Sequence, residues 1–259
     1  IKGLAKNHEI ILIALTDKPV KQEHIKQLEP LCKSIYTFRL RKFFTYTRVL
    51  WWFLMGKSIQ IAYFTNNKIR RQIEQIIFKE KPDHIYCQLV RMAEYVKDIF
   101  HVSKTLDYMD AFSKGMERQA ADTPFPLNFV YKEEAKRLKE YESKIFYEFD
   151  LKTIISSQDR DCIKCPYKEQ ISIVPNGVDV DEFYFQTDRA KKTTDLLFVG
   201  NMSYYPNVKA AEYLVEKILT ASSLKLSVEI AGANPAPQVL SLASEQVIVS
   251  GWVDDIVKT

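Results

Sequence analysis

Several kinds of chemistry lack material in this sequence. Only four histidines occur in 259 residues. None forms a pair with metal-ligand spacing, and His84 and His101 simply flank strand-like runs. The four cysteines, at 32, 87, 162 and 165, have no framework spacing, which argues against a disulfide-stapled domain. Cys162-Ile-Lys-Cys165 lacks the second pair a structural zinc site needs. It also closes a helical segment, whereas a redox pair of this spacing opens one. No apolar run approaches the roughly 20 residues of a membrane span; the longest compact block is "VLWWFLM" at 49–55. No secretory signal pattern opens the sequence, and a reducing cytoplasm is the expected setting. Glycine is scarce too, at seven residues.

Apolar residues are not lacking: they make up 46% of the chain, enough for one large core or two smaller ones. The formal net charge is only +4, unevenly spread. Residues 171–259 hold 7 Lys/Arg against 11 Asp/Glu, while 1–170 hold 30 against 22. Most of that excess lies in 39–81, with 10 basic and 2 acidic residues.

Strand-length apolar runs alternate with helix-period segments. "EIILIALT" (9–16), "SIYTFRL" (34–40), "HIYCQLV" (84–90), "SKTLDYMD" (103–110) and "LKTIISS" (151–157) read as strands. Between them 20–32, 45–81, 92–100 and 128–150 read as helical. In the last of these Tyr131, Ala135, Leu138, Tyr141, Ile145 and Phe149 form one apolar stripe. After 171 come "SIVPNG", "DLLFVG" (195–200), a helix at 207–220, "LSVEIAG" (226–232) and "QVIVSG" (246–251). This alternation predicts α/β architecture with parallel, doubly wound sheets. The Pro175 corner and the acidic 179–188 segment predict a hinge. The expected division is therefore 1–170 and 171–259. The chain begins without Met in the tail of a helix and stops just past a strand, so a fragment truncated at both ends is expected.

Four of the seven glycines, Gly177, Gly200, Gly232 and Gly251, each follow a predicted strand in the last 89 residues. Glycine permits positive φ and close approach of a ligand, and open α/β sheets bind ligands at the carboxyl ends of their strands. After "DLLFV", the N–H groups of 201–203 are expected free, with a helix capped by Asn207 close by. That arrangement suits an anion such as a diphosphate. Neither GxxxxGK[ST] nor GxGxxG is present.

Taken in order, "VPNGVDVDEF", "DLLFVGNMSYYPNVKAAEYLVEKIL", "LSVEIAGANP" and "VIVSGWVDDI" resemble the retaining GT-B glycosyltransferases of family GT4. "EFDLKTIISSQDRD" is similar to the helix, strand and turn ahead of that family's linker. The likeness covers roughly 140–259. It implies GT-B architecture: two Rossmann-like domains facing a cleft, an N-terminal acceptor-side one and a C-terminal, here incomplete, nucleotide-sugar donor domain. On this likeness Asn176 and Gly177 lie at the crossover, in a tight turn stiffened by Pro175. Gly200, Asn201 and Met202 face the donor diphosphate, Gly232 closes the floor, and Gly251, Trp252 and Val253 meet the nucleobase. No metal is implied; the nucleotide sugar is a co-substrate. Amides, basic side chains and a helix end would stabilise the leaving group. The sequence departs from the family where Asn201 and Asn207 replace its usual Arg and Lys, with Lys209 a possible substitute. The family's paired glutamates are expected beyond Thr259 and its glycine-rich loop before Ile1, so the fragment alone is expected to be inactive.

For the acceptor side, Asp110 at the end of "SKTLDYMD" is the candidate to orient or deprotonate a hydroxyl; capping the next helix is its structural alternative, and Asp107 is read as structural. The segment "RLRKFFTYTRVLWWFLMGK" (39–57) interleaves cations and aromatics. Resting on anionic lipid through Arg48, Trp51 and Trp52 fits it better than stacking on nucleic acid; a core helix with solvated cations is the plainer alternative. The function expected is a GT4-type retaining hexosyltransferase that moves a sugar from a nucleotide-diphosphate donor to a glycan or lipid-linked acceptor. Its setting would be cell-surface polysaccharide synthesis at the cytoplasmic membrane face. The alternatives are a non-catalytic GT-B binding or assembly module and a sugar-nucleotide epimerase, which would need cleft histidines that are not evidently placed.

Overall fold

The computed structural model of the chain describes residues 1–40, 48–49, 51–181, 183 and 194–254. Parts of the expected helix at 45–81, of the basic segment 39–57 and of the acidic 179–188 segment therefore lie outside the described residues. Two compact units emerge, Ile1–Asn176 and Gly177–Thr259.

In unit 1, β1 (Ile11–Thr16) leads through α1 (Gln22–Leu28) to β2 (Ser34–Arg39), its parallel partner. What reads as one long helix is broken by local capping. Ser58 and Asn66 take up extended conformations, and their side chains accept from the amides of Ile61 and of Lys68 and Ile69. So α2 (Ile59–Phe64) and α3 (Asn67–Glu80) are separate, each begun by its own N-cap. Next come β3 (His84–Gln88), β4 (Ser103–Asp107), α4 (Phe112–Asp122), α5 (Leu127–Ile145), β5 (Leu151–Ile154), α6 (Ser157–Cys162) and β6 (Ser172–Ile173). Strands β3 to β6 pair in that order, all parallel. Among the described residues no ladder joins β1–β2 to β3, yet Ile13, Leu15 and Phe38 pack on the same core as Cys87, Leu106 and Ile154. The expected helix at 92–100 is a 3-10 segment, Val90–Tyr95.

The apolar stripe of α5 is buried as its spacing predicts, at Ala135, Leu138 and Ile145, and its Ile145 end, with Tyr141, joins this core. Two carboxylates lie inside the same buried surface. Glu134 accepts from Ser58 Oγ (2.6 Å) and the amides of Ile59 (2.7 Å) and Gln60 (3.0 Å), so it holds the start of α2. Glu142 accepts from Ser113 N–H (3.0 Å) and Ser113 Oγ (2.5 Å) at the start of α4. A carboxylate at a helix N-terminus satisfies orphan amides and opposes the positive end of the dipole.

Beyond Ile173 the chain forms no helix, strand or turn up to Asp179, and Pro175, Asn176 and Gly177 are exposed. The expected tight turn is not formed: Gly177 has no positive φ and nothing stands within 4 Å of where a Cβ would lie. Unit 2 holds β7 (Leu196–Val199), α7 (Tyr205–Tyr213) running into a π-helical segment, β8 (Val228–Ala231), α8 (Pro237–Leu240) and β9 (Val247–Gly251). The three strands are parallel in the order β7-β8-β9. Met202, Val208, Val228, Ile230, Val239 and Val247 form its core.

Candidate functional site

At the carboxyl ends of β7, β8 and β9 the structure brings Gly200, Gly232 and Gly251 together. Gly232 donates its N–H to Gly251 O at 2.6 Å, and Gly200 donates to Ala231 O at 3.1 Å. Gly232 has φ +146°, and a Cβ there would lie 1.6 Å from Gly200 O. A Cβ on Gly200 would come 2.7 Å from the Asn207 side-chain amide. These two glycines are required because one strand-end turn presses on another, a need that exists without any ligand. Gly251, at φ +69°, has open space around it.

Of the three amides expected free, two are engaged. Met202 N–H bonds Ala233 O (3.0 Å) and Ser203 N–H bonds Asn201 Oδ1 (3.1 Å). The N–H of Asn201 has no partner among the described residues. Met202 itself is fully buried in the core, so its side chain packs the floor from beneath. Asn207 is not the helix cap: α7 starts after Tyr204, and Asn207 lies within its first turn, donating to Asn201 O at 3.1 Å. Lys209 forms an ion pair with Glu212 at 2.8 Å. Trp252 is 72% exposed beside Gly251, its Nε1–H on Asp254 Oδ1 (2.9 Å), and Val253 is half-buried.

Unit 1 has its own strand-end edge. Leu89 (φ 74°) and Met109 (φ 61°), just past β3 and β4, are non-glycine residues in the left-handed region. Such conformations cost energy and gather at functional edges; with no glycine to mark them, the sequence gives no sign. Asp107 is structural, as expected: it is buried and accepts from Tyr86 Oη (2.7 Å), Thr153 Oγ1 (3.1 Å) and Met109 N–H (3.1 Å). Burial, then the Asp107 contact, pushes the Tyr86 phenol up to about 12. Asp110 is half-buried at the same edge. The cap position of α4 belongs to Ala111, and Glu142 accepts from Ser113 at that helix end. Burial raises the Glu142 carboxyl to about 7, against the lowering effect of its bonds to Ser113.

The proposed lipid contacts divide. Arg48 donates to Ala62 O and Tyr63 O, both at 3.0 Å, so its guanidinium closes the end of α2. Trp52 is half-buried under Lys57, 4.5 Å from its ring, whereas Trp51 is 64% exposed. Among the described residues no helix is long and apolar enough to cross a membrane, and no cluster of three His, Cys, Asp or Glu could hold a metal.

No protein-family model and no curated protein matches the chain. Solved structures do. The S. aureus MnaA–UDP complex superposes with a TM-score of 0.50 at 11% identity, over 99% of this chain and 65% of that one. A candidate UDP-N-acetylglucosamine 2-epimerase of Listeria monocytogenes gives 0.47 at 10% identity over the same shares. The chain thus spans just under two thirds of the length of these proteins. The likeness is one of fold: the chain is α/β with parallel sheets and GT-B-like.

Proposed function

We propose that the carboxyl edge of β7–β9 binds the nucleoside-diphosphate part of a nucleotide sugar, and that the protein to which this chain belongs is a retaining glycosyltransferase of the GT4 type. Its acceptor is a glycan or lipid-linked sugar at the inner face of the cell membrane. The observation that carries this reading is the unbonded Asn201 N–H, the open backbone at Gly251 and the exposed Trp252 ring together at the carboxyl ends of parallel strands, in a GT-B-like fold. On this reading the diphosphate meets the unbonded Asn201 N–H, and the exposed Trp252 ring beside Val253 takes the base. On the same reading Asp110, half-buried past β4, orients the acceptor hydroxyl. With Asn at 201 and 207, the leaving diphosphate would meet amide dipoles rather than a guanidinium and an ammonium.

The test begins with UDP, GDP and ADP titrated against the chain while tryptophan fluorescence is followed. Saturable quenching is expected; its absence with all three would end the donor-site reading. The encoded full-length protein is then given a labelled nucleotide sugar with and without acceptor. Acceptor-dependent transfer with the anomeric configuration kept supports the transferase. Interconversion of the sugar without acceptor makes the protein an epimerase, and binding without turnover makes it a binding module.

A further inference from the structure

Between α4 and α5 the chain reads "TPFPLNFVY" (123–131), nine residues without a charge. Phe125 is 83% exposed, Leu127 57% and Phe129 64%. Three large apolar side chains in five residues, all facing water, is costly unless something covers them. The tip is firmly based: α4 and α5 pack along one another as a helical hairpin, and Glu142 fixes the start of α4 to α5.

The acids around the tip are engaged: Glu133 is paired with Arg137, Glu117 with Lys114 and Lys139, Glu134 is buried, and Asp122, exposed at the end of α4, has a partner of its own. Arg118, Lys132 and Lys136 are exposed and form no ion pair among the described residues. Phe129, Lys132 and Lys136 follow i, i+3, i+7 spacing and so share one face of α5. A second apolar knob is tied to the same helix. Arg137 donates to Phe53 O and Lys57 O, and the turn it holds exposes Leu54 (72%) and Met55 (61%) beside Trp51. Eight residues of α5, about 12 Å, separate Phe129 from Arg137.

We propose that the α4–α5 tip is a membrane-docking element that seats Phe125, Leu127 and Phe129 in the headgroup region of an anionic bilayer. Arg118, Lys132 and Lys136 then lie over the lipid phosphates, and the Trp51–Met55 turn makes a second contact. Charge complementarity selects this occupant. A two-fold contact with another copy would bring the three cations towards their own images, whereas an anionic surface attracts each of them and accepts separate apolar knobs. This deepens the membrane-face location in the proposed function, but it needs no nucleotide sugar; its failure would leave the donor-site reading standing.

The chain is sedimented with phosphatidylcholine vesicles, with and without phosphatidylglycerol. Salt-dependent binding to the anionic vesicles is expected, with a fall of roughly tenfold in partitioning for the Phe125→Ser/Phe129→Ser double variant. Lys132→Glu/Lys136→Glu should remove the preference for anionic lipid. Because these side chains are exposed, both variants should melt with the parent chain, which separates lost binding from lost folding. No binding to anionic vesicles, or binding unchanged in the phenylalanine variant, overturns the proposal. So does a dimer, seen without vesicles, that the phenylalanine variant dissolves.

Discussion

Replacing Glu142 by Gln should remove one pH-dependent contribution to stability. The carboxyl is fully buried, and its pKa is raised from an ordinary 4.5 to about 7, chiefly by burial. Ser113 N–H, Ser113 Oγ–H and the Lys139 charge favour the ionised form but do not offset that desolvation. Between pH 4.5 and 7 the folded state keeps a proton that the unfolded state releases. Stability from this group is therefore fully present below pH 4.5 and is lost as pH rises through 7. The shift corresponds to about 3 kcal/mol. Gln keeps an acceptor for Ser113 and carries no charge, so E142Q should match the parent near pH 5 and exceed it near pH 8 by roughly 6–12 °C in melting temperature. Thermal melts of both proteins at half-unit pH steps measure this directly. A gap that stays constant from pH 5 to 8, or a parent that gains on the variant as pH rises, would refute the argument. Glu142→Ala is the control: it leaves Ser113 unpaired and should cost about 2–4 kcal/mol near pH 5, a cost that shrinks by about 3 kcal/mol towards pH 8 because Ala cannot ionise either.

Glu134→Ala should destabilise unit 1 by about 2–3 kcal/mol, because three donors at the start of α2 lose their acceptor; urea denaturation followed by circular dichroism would show it. Gly232→Ala forces a Cβ onto Gly200 O and should cost unit 2 about 3 kcal/mol or more, read as a lower denaturation midpoint. Asn201→Arg places a guanidinium on the exposed turn and should tighten nucleoside-diphosphate binding about tenfold by calorimetry; unchanged affinity would remove the diphosphate from this turn. Trp252→Ala, at a 72% exposed side chain, should leave the melting temperature unchanged and weaken nucleotide binding about tenfold.

The strands were legible because each is a short apolar run closed by a turn residue: Leu196–Val199 and Val228–Ala231 precede a glycine, and Val247–Gly251 ends on one. The stripe of α5 was legible for the same kind of reason, a period sustained over five turns. What hydropathy alone did not reveal is where polar residues serve other elements. Ser58 and Asn66 cut one apparent helix into two because a capping side chain outweighs a continuous apolar period. Glu134 and Glu142 sit amid the buried face of α5, and an acid in that position is itself a signal that something across the core donates to it. The positive φ at Leu89 and Met109 leaves no trace in composition at all.

Glycine placement picks out the carboxyl edge of unit 2, but two of those glycines have another reason to be there. A glycine after a strand reads as room for a ligand, yet at Gly232 the room is filled by the carbonyl of Gly200, and Asn207 crowds Gly200 in turn. The three turns are laced together by backbone bonds, which accounts for glycine there with or without a nucleotide. Any argument for a ligand must therefore rest on what stays unbonded or exposed once that lacing is complete: the Asn201 N–H, the open backbone at Gly251 and the Trp252 ring. This is why the two kinds of substitution are expected to separate. Losing a glycine should unfold the edge and abolish binding with it, while losing Trp252 should leave the edge folded and remove only what the edge binds.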